Sequence, residues 1–216
     1  MPQTLTINNQ HFQLHSCGAL FWEETQMLLI ADVHLGKVSH FRKHGSAVPK
    51  KAIEKNFSLL TKVIKEYKPA VVCFLGDLFH SVLNIEWDMF ASWRLLHMKE
   101  KFILIAGNHD IISPVKFEEL GIHISKEWEI GNILLTHHPE KREGFFNLCG
   151  HIHPGVALQG LGRQALKLPC FFKTKDQMIL PAFGQFTGNY ILEPAEGDEI
   201  YALADHEVVK VTGLIY

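Results

Sequence analysis

Five times in this chain a run of apolar residues stops at a cluster of residues able to ligate a metal. Residues 27–31 run into Asp32-Val33-His34, 71–75 into Gly76-Asp77, and 102–106 into Gly107-Asn108-His109-Asp110. Residues 133–135 run into Thr136-His137-His138, and 145–149 into Gly150-His151-Ile152-His153. Apolar runs of this length read as strands buried on both faces. A chain that ends five strands in this way gathers its ligands on one rim, at the carboxyl ends of the strands, where open α/β sheets bind their ligands. The pattern constrains fold and site together.

The gathered set mixes imidazole with carboxylate and contains no thiolate, which suits Zn, Mn or Fe. At least seven candidate ligands exceed what one tetrahedral ion can take. They fit two ions sharing a carboxylate. Such pairs sit about 3.5–4 Å apart and clamp the attacking and leaving oxygens of a phosphoryl transfer. Two divalent ions bring about four positive charges and two aspartates offset about two, so the site stays cationic and attracts phosphate.

The ordered blocks D-x-H, G-D, G-N-H-[DE], a lone His after a strand, and G-H-x-H resemble those of the calcineurin-like metallophosphoesterases, over residues 28–153. More narrowly, the chain resembles one bacterial subgroup, the ligase-associated DNA-damage-response endonucleases (PdeM). The carrying segments are Ala31-Asp32-Val33-His34-Leu35-Gly36-Lys37, His40-Phe41-Arg42-Lys43-His44-Gly45, and Leu180-Pro181-Ala182-Phe183-Gly184-Gln185-Phe186-Thr187-Gly188. The resemblance implies a four-layer α/β/β/α sandwich of two mixed sheets flanked by helices. It implies that Asp32, His34 and His153 hold one metal, that Asn108, His137 and His151 hold a second, and that Asp77 bridges. His109 is then catalytic without holding metal, meeting the leaving oxygen. The family usually has Gly after its lone His, and here His138 stands there. His137, which follows the strand directly, is the expected ligand and His138 the alternative. Mn is the first expectation for the metals, with Fe and Zn as alternatives. The implied substrate is DNA, and the implied partners are DNA ligase- and helicase-associated repair proteins. Small-nucleotide phosphodiesters or pyrophosphates are the competing substrates. A fold-only scaffold is the competing class, and it should have lost a ligand or the His109 equivalent; this chain has lost neither.

A chain of 216 residues, 47% hydrophobic, is expected to form a single domain over 1–216 with a substantial core. Its net charge of −2 argues against an extended DNA-wrapping surface and restricts nucleic-acid contact to a patch. The four cysteines show no CxxC spacing, and Cys73 and Cys149 fall inside apolar runs, so core thiols in a reducing compartment are expected. The first residues show neither basic nor apolar leader character, and no apolar run is long enough to span a bilayer. The cytoplasm is the expected location.

Turns are expected at Asn8-Asn9 and at 23–26, between short strands over 3–31. Ile53, Phe57, Leu60, Ile64 and Tyr67 form a helical stripe over 49–67, stopped by Pro69. A second helix is expected over 86–100, with Trp87, Phe90, Trp93, Leu95 and Leu96 inward, and a third after Ser113-Pro114, where Ser can cap. Beyond Gly155 strands are expected at 156–158, 167–172, 177–180, 199–204 and 208–211, the last pair joined at Asp205-His206. The basic stretch 37–44 leaves the metal rim directly. Its His40 and Arg42 are the expected phosphate contacts, Arg because its planar fork binds phosphate bidentately. His80 is a further candidate substrate contact, and Lys141 with Arg142 a second phosphate contact. Asp110 is expected to orient its neighbours rather than bind metal. His97 reads as a helix-surface residue, and His11, His15 and His206 as solvated.

Overall fold

The computed structural model describes residues 3–39, 51–80, 82–159, 165–184 and 187–212. The expected contacts His40 and Arg42 lie outside these residues.

The first sheet has seven strands in sequence order: β1 (Gln3–Ile7), β2 (Gln10–Leu14), β3 (Leu20–Trp22), β4 (Met27–Ile30), β5 (Val71–Leu75), β6 (Lys101–Ile105) and β7 (Ile122–Ser125). Strands β1 to β4 pair antiparallel, joined by turns at Asn8-Asn9 and at 23–26. Strands β4 to β7 run parallel. Their crossovers carry helices α1 (Lys51–Tyr67), α2 (Ile85–Leu95) and α3 (Pro114–Glu119). The second sheet is also mixed. It holds β8 (Trp128–Ile130), β9 (Ile133–Leu135), β10 (Phe146–Cys149), β11 (Pro154–Gln159), β12 (Ala165–Lys173), β13 (Gln177–Ile179), β14 (Tyr190–Ile191), β15 (Glu199–Ala204) and β16 (Glu207–Lys210). Parallel pairs β9–β10 and β10–β13 form its middle. This is the expected α/β class, two mixed sheets flanked by helices.

Strand alternation explains why the runs are apolar throughout. Leu28, Ile30, Val72 and Phe74 face a core shared with all three helices, whereas Met27, Leu29, Ala31, Cys73 and Leu75 face a second core between the sheets. Ile133, Leu135, Leu148 and Met178 close that second core from the other sheet. A third core covers the far face of the second sheet, with Cys149, Cys170, Phe172 and Ile200. Among the described residues all four cysteines are free thiols, and three are buried. No described helix is long and apolar enough to cross a membrane.

Helix α1 buries the expected stripe and ends where Lys68 turns left-handed (φ 47°) before Pro69. Helix α2 stops at Leu95, short of the expected 100. The N–H groups of Leu96 and His97 reach back only three residues, to Trp93 and Arg94, which tightens the chain toward β6. Arg94 closes this turn, donating to the His97 carbonyl with its guanidinium 4.3 Å from the Phe102 ring centre. Leu95 and Leu96, expected inward, are exposed, and His97, expected on the surface, is buried against Trp93. His15, expected solvated, is also buried: it contacts the Cys17 sulfur at 2.8 Å and the edge of Tyr67. Ser113 makes no side-chain cap, so Pro114 alone marks the start of α3. Strands β7, β8 and β14 were not foreseen.

Candidate metal centre

All five ligand clusters sit at carboxyl ends of parallel strands, β4, β5 and β6 in the first sheet and β9 and β10 in the second. The two rims touch. The imidazole of His137 pairs through Nδ1 with the Leu75 carbonyl across the sheets, 2.9 Å away. The N–H groups of Phe183 and Gly184 donate to the Ala31 and Asp32 carbonyls at 3.0 and 3.1 Å. This binds the tail expected to mark the subgroup onto the end of β4.

The backbone reaches the rim under strain. Asp32, His34, Asp77, His151 and His153 all have φ between 51° and 71°, the left-handed region that side chains with a Cβ rarely adopt. Each such residue costs on the order of 1–3 kcal/mol and persists only where its surroundings over-determine it. Close approach also explains two of the glycines. A Cβ on Gly76 (φ 84°) would lie 2.1 Å from Nδ1 of His137, and one on Gly107 would lie 2.3 Å from Oδ1 of Asp77.

Among the described residues, three groups of side chains could hold cations, each with its ligating atoms within 4.8 Å of one another: Asp32–His34–His153, Asp32–Asp77–His137 and His137–His138–His151. In the first, Nε2 of His34 lies 3.2 Å from Nε2 of His153. The buried Oδ1 of Asp32, which accepts no hydrogen bond, lies 3.2 Å from Nε2 of His153. Burial first, then the neighbouring His153 and Lys37, push the His34 imidazole down to about 2, so it is neutral and presents a lone pair. In the second, Nδ1–H of His137 donates to Leu75, which turns the Nε2 lone pair outward. That nitrogen meets Oδ1 of Asn108 at 3.0 Å, Nδ1 of His151 at 3.2 Å and Oδ1 of Asp77 at 3.5 Å. Electron-rich atoms thus converge with too few protons to share, and this donor chemistry fits divalent cations. His138 is exposed, with its ring 4.1 Å from that of His151.

The surroundings brace this set. The His109 N–H donates to Oδ1 of Asp77 at 2.8 Å, and the His151 N–H donates to Oδ2 of Asp32 at 2.9 Å. Asp110 accepts from Phe79 N–H at 3.1 Å and Gly107 N–H at 3.0 Å, tying the loops after β5 and β6 together. Burial pushes its carboxyl up to about 6 against those two donors. The His109 ring stacks on His80 at 4.8 Å between centroids, and both present faces or edges to His34 at 5.4 Å.

Of the basic residues expected on the rim, Lys37 is there. It is half-buried, and burial lowers its pKa while Asp32 and Asp77 oppose the shift. Lys141 and Arg142 are elsewhere. They line a cleft with Asn132, Phe145 and Lys175, at the amino ends of β9, β10 and β13, the opposite rim. Arg142 is also consumed by Glu127, Glu129 and Glu140, at 2.9, 2.6 and 2.5 Å. The expectation of a second phosphate contact there is therefore corrected. Glu86, which the sequence did not mark, holds the loop that follows His34.

A rim that gathers imidazole and carboxylate where two mixed sheets meet has the donors to hold divalent cations, as a metal-dependent hydrolase requires. The calcineurin-like phosphoesterase pattern matches residues 25–178, well over half of the chain, and the chain belongs to that family. Among solved structures it is similar to the Pseudomonas putida nuclease MPE, with 29% identity and a TM-score of 0.84, covering 98% of this chain and 100% of that one. A phosphoesterase from E. coli, Yfce, shares 17% identity at a TM-score of 0.45, covering 86% and 97%. No curated protein matches the chain.

Proposed function

We propose that this phosphoesterase is a two-metal phosphodiesterase that cuts DNA. The observation that carries the reading is the placement of Asp77. Its Oδ1 lies 3.5 Å from Nε2 of His137 and its Oδ2 lies 3.8 Å from Nε2 of His34, so one carboxylate faces both ligand groups. In this reading Asp32, His34 and His153 hold one ion, Asn108, His137 and His151 hold the other, and Asp77 serves both. Bound there, the ions supply an activated water and positive charge for the phosphoryl oxygens.

The rest falls to the chain. His109, held by its N–H on Asp77 and by the stacking of its ring on His80, gives a proton to the leaving oxygen. Asp110 fixes the loop that carries His109 and Asn108. His80, stacked on His109, contacts the substrate, and His40 and Arg42 are the further phosphate contacts in this reading. Phosphodiesters and DNA are favoured by the similarity to a nuclease. The mixed donor set accepts Mn, Fe or Zn, and the family resemblance makes Mn the first choice. The subgroup resemblance extends the proposal to an endonuclease of the DNA damage response, working as a single domain in the cytoplasm beside ligase- and helicase-associated repair proteins.

The test is a panel of bis-p-nitrophenyl phosphate, p-nitrophenyl phosphate, cyclic nucleotides, and single- and double-stranded DNA, each with Mn-loaded protein. Diester and DNA turnover above monoester turnover is expected. Faster hydrolysis of p-nitrophenyl phosphate than of its bis-ester would overturn the proposal.

A further inference from the structure

Glu86, in the first turn of α2, is 1% exposed, and both of its carboxylate oxygens are engaged. Oε2 accepts the Gly36 N–H at 2.7 Å, and Oε1 accepts the Ser39 N–H at 3.0 Å and the Ser39 hydroxyl at 2.7 Å. A helical turn begins at Lys37, so Glu86 acts as an N-terminal cap delivered from a different helix. Its own backbone is held in turn by Oδ1 of Asn84, at 2.8 Å. The other end of the segment is pinned as well. His34 and Leu35 donate to the Asp77 and Leu78 carbonyls, each at 2.9 Å. The residues that Glu86 grips bracket Lys37. That side chain is half-buried in the field of Asp32 and Asp77, the two carboxylates of the centre.

We propose that Lys37 is a substrate-phosphate contact at the metal rim and that Glu86 is the positioning residue that aims it. An ammonium is a compact charge suited to a phosphate oxygen. Partial burial raises the effective strength of its field over that of a solvated lysine. The pinned backbone has already lost the freedom that a surface loop would lose on binding. The competing role is a counter-ion that merely offsets Asp32 and Asp77. The two roles predict opposite things, because removing a counter-ion tightens metal binding and leaves phosphate binding alone. The proposal rests on the phosphodiesterase reading but is measured separately from it.

The experiment titrates inorganic phosphate into Mn-loaded protein by calorimetry, beside Mn binding and steady-state kinetics on bis-p-nitrophenyl phosphate. Lys37→Met should weaken phosphate binding about tenfold or more, the usual size of a lost charge-assisted hydrogen bond. Mn stoichiometry should be unchanged, and KM should rise more than kcat falls. Lys37→Arg should recover part of the loss. Glu86→Gln should move phosphate binding the same way, and the double variant should be no worse than Lys37→Met alone. Should Glu86→Gln fail to fold, Ser39→Ala, which removes one of the three bonds, carries the test with a smaller shift in the same direction. Unchanged phosphate binding in Lys37→Met, tighter Mn binding without a phosphate effect, or additive losses in the double variant would overturn the proposal. A wild-type protein that binds phosphate through Lys37 yet hydrolyses no diester would leave this inference standing and remove the functional reading.

Discussion

Gly76→Ala reaches the site through one methyl group. Gly76 has φ 84°, where a residue with a Cβ pays about 1–2 kcal/mol. The new Cβ would stand 2.1 Å from Nδ1 and 2.4 Å from Cγ of His137, so the ring has to move. Moving it breaks the Nδ1–H bond to the Leu75 carbonyl, worth about 1 kcal/mol net, and the crowding adds about 1–3 kcal/mol. The total is about 3–6 kcal/mol, a large share of the 5–15 kcal/mol typical of a domain. For a chain of this size that corresponds to a fall in melting temperature of roughly 6–24 °C. The displaced ring also loses the tautomer lock that turns Nε2 toward Asp77 and Asn108. Mn affinity at that position should drop at least 10–100-fold, the cost commonly seen when an outer partner of a ligand is removed. The assay is a thermal melt of metal-free protein paired with a calorimetric Mn titration. A variant that melts within 2 °C of wild type and binds Mn equally well would refute the reasoning about His137.

His109→Ala should keep its fold and metal content and lose about 10²–10⁴ in rate, the range for a general acid; a metal loss like that of His151→Ala would make it a ligand instead. Arg142→Ala should leave DNA affinity unchanged in a salt titration of a catalytically inactive variant, because three carboxylates already occupy the guanidinium; a reduced salt slope would return it to the binding surface. Metal-free protein should lose stability as pH falls below 6.5. The buried imidazole of His34, lowered to about 2, and that of His151, also lowered, bind protons less readily folded than unfolded, so their contribution is present above 6.5 and is lost on acidification. Asp110, raised to about 6, works the other way between its folded value and 3.8, but one carboxyl opposes two imidazoles. Thermal melts of chelated protein from pH 7.5 to 5 check the sign, and a rising melting temperature on acidification would contradict it.

The rim of candidate ligands was legible because each candidate follows its strand within two to four residues, and strand direction alone fixes where it ends up. Asp32 follows β4 by two residues, Asp77 follows β5 by two and His151 follows β10 by two. The alternation of Leu28 and Leu29 into different cores needed no tertiary knowledge beyond a strand covered on both faces. What escaped depends on contacts between distant segments. Glu86 reads as an ordinary acidic residue in a first helical turn, and only the fold reveals that it grips Gly36 and Ser39, some 50 residues earlier. Lys141 and Arg142 follow His137 closely in sequence, but the chain has by then crossed to the opposite rim to start β10. The end of α2 was misplaced because hydrophobic spacing continues through Leu95 and Leu96, while Arg94 turns back and closes the helix. The tails of β7 and β8 are short and half-exposed, with little periodicity to read.

In the proposed mechanism Asp77 joins two metal positions into one catalytic unit. The direct measurement is activity against bis-p-nitrophenyl phosphate while Mn is titrated into fully chelated protein, with bound metal counted at each point. Activity should follow the second equivalent of Mn, and Asp77→Asn should lower both metal content and turnover. Full activity with one ion per chain at saturating Mn would contradict it.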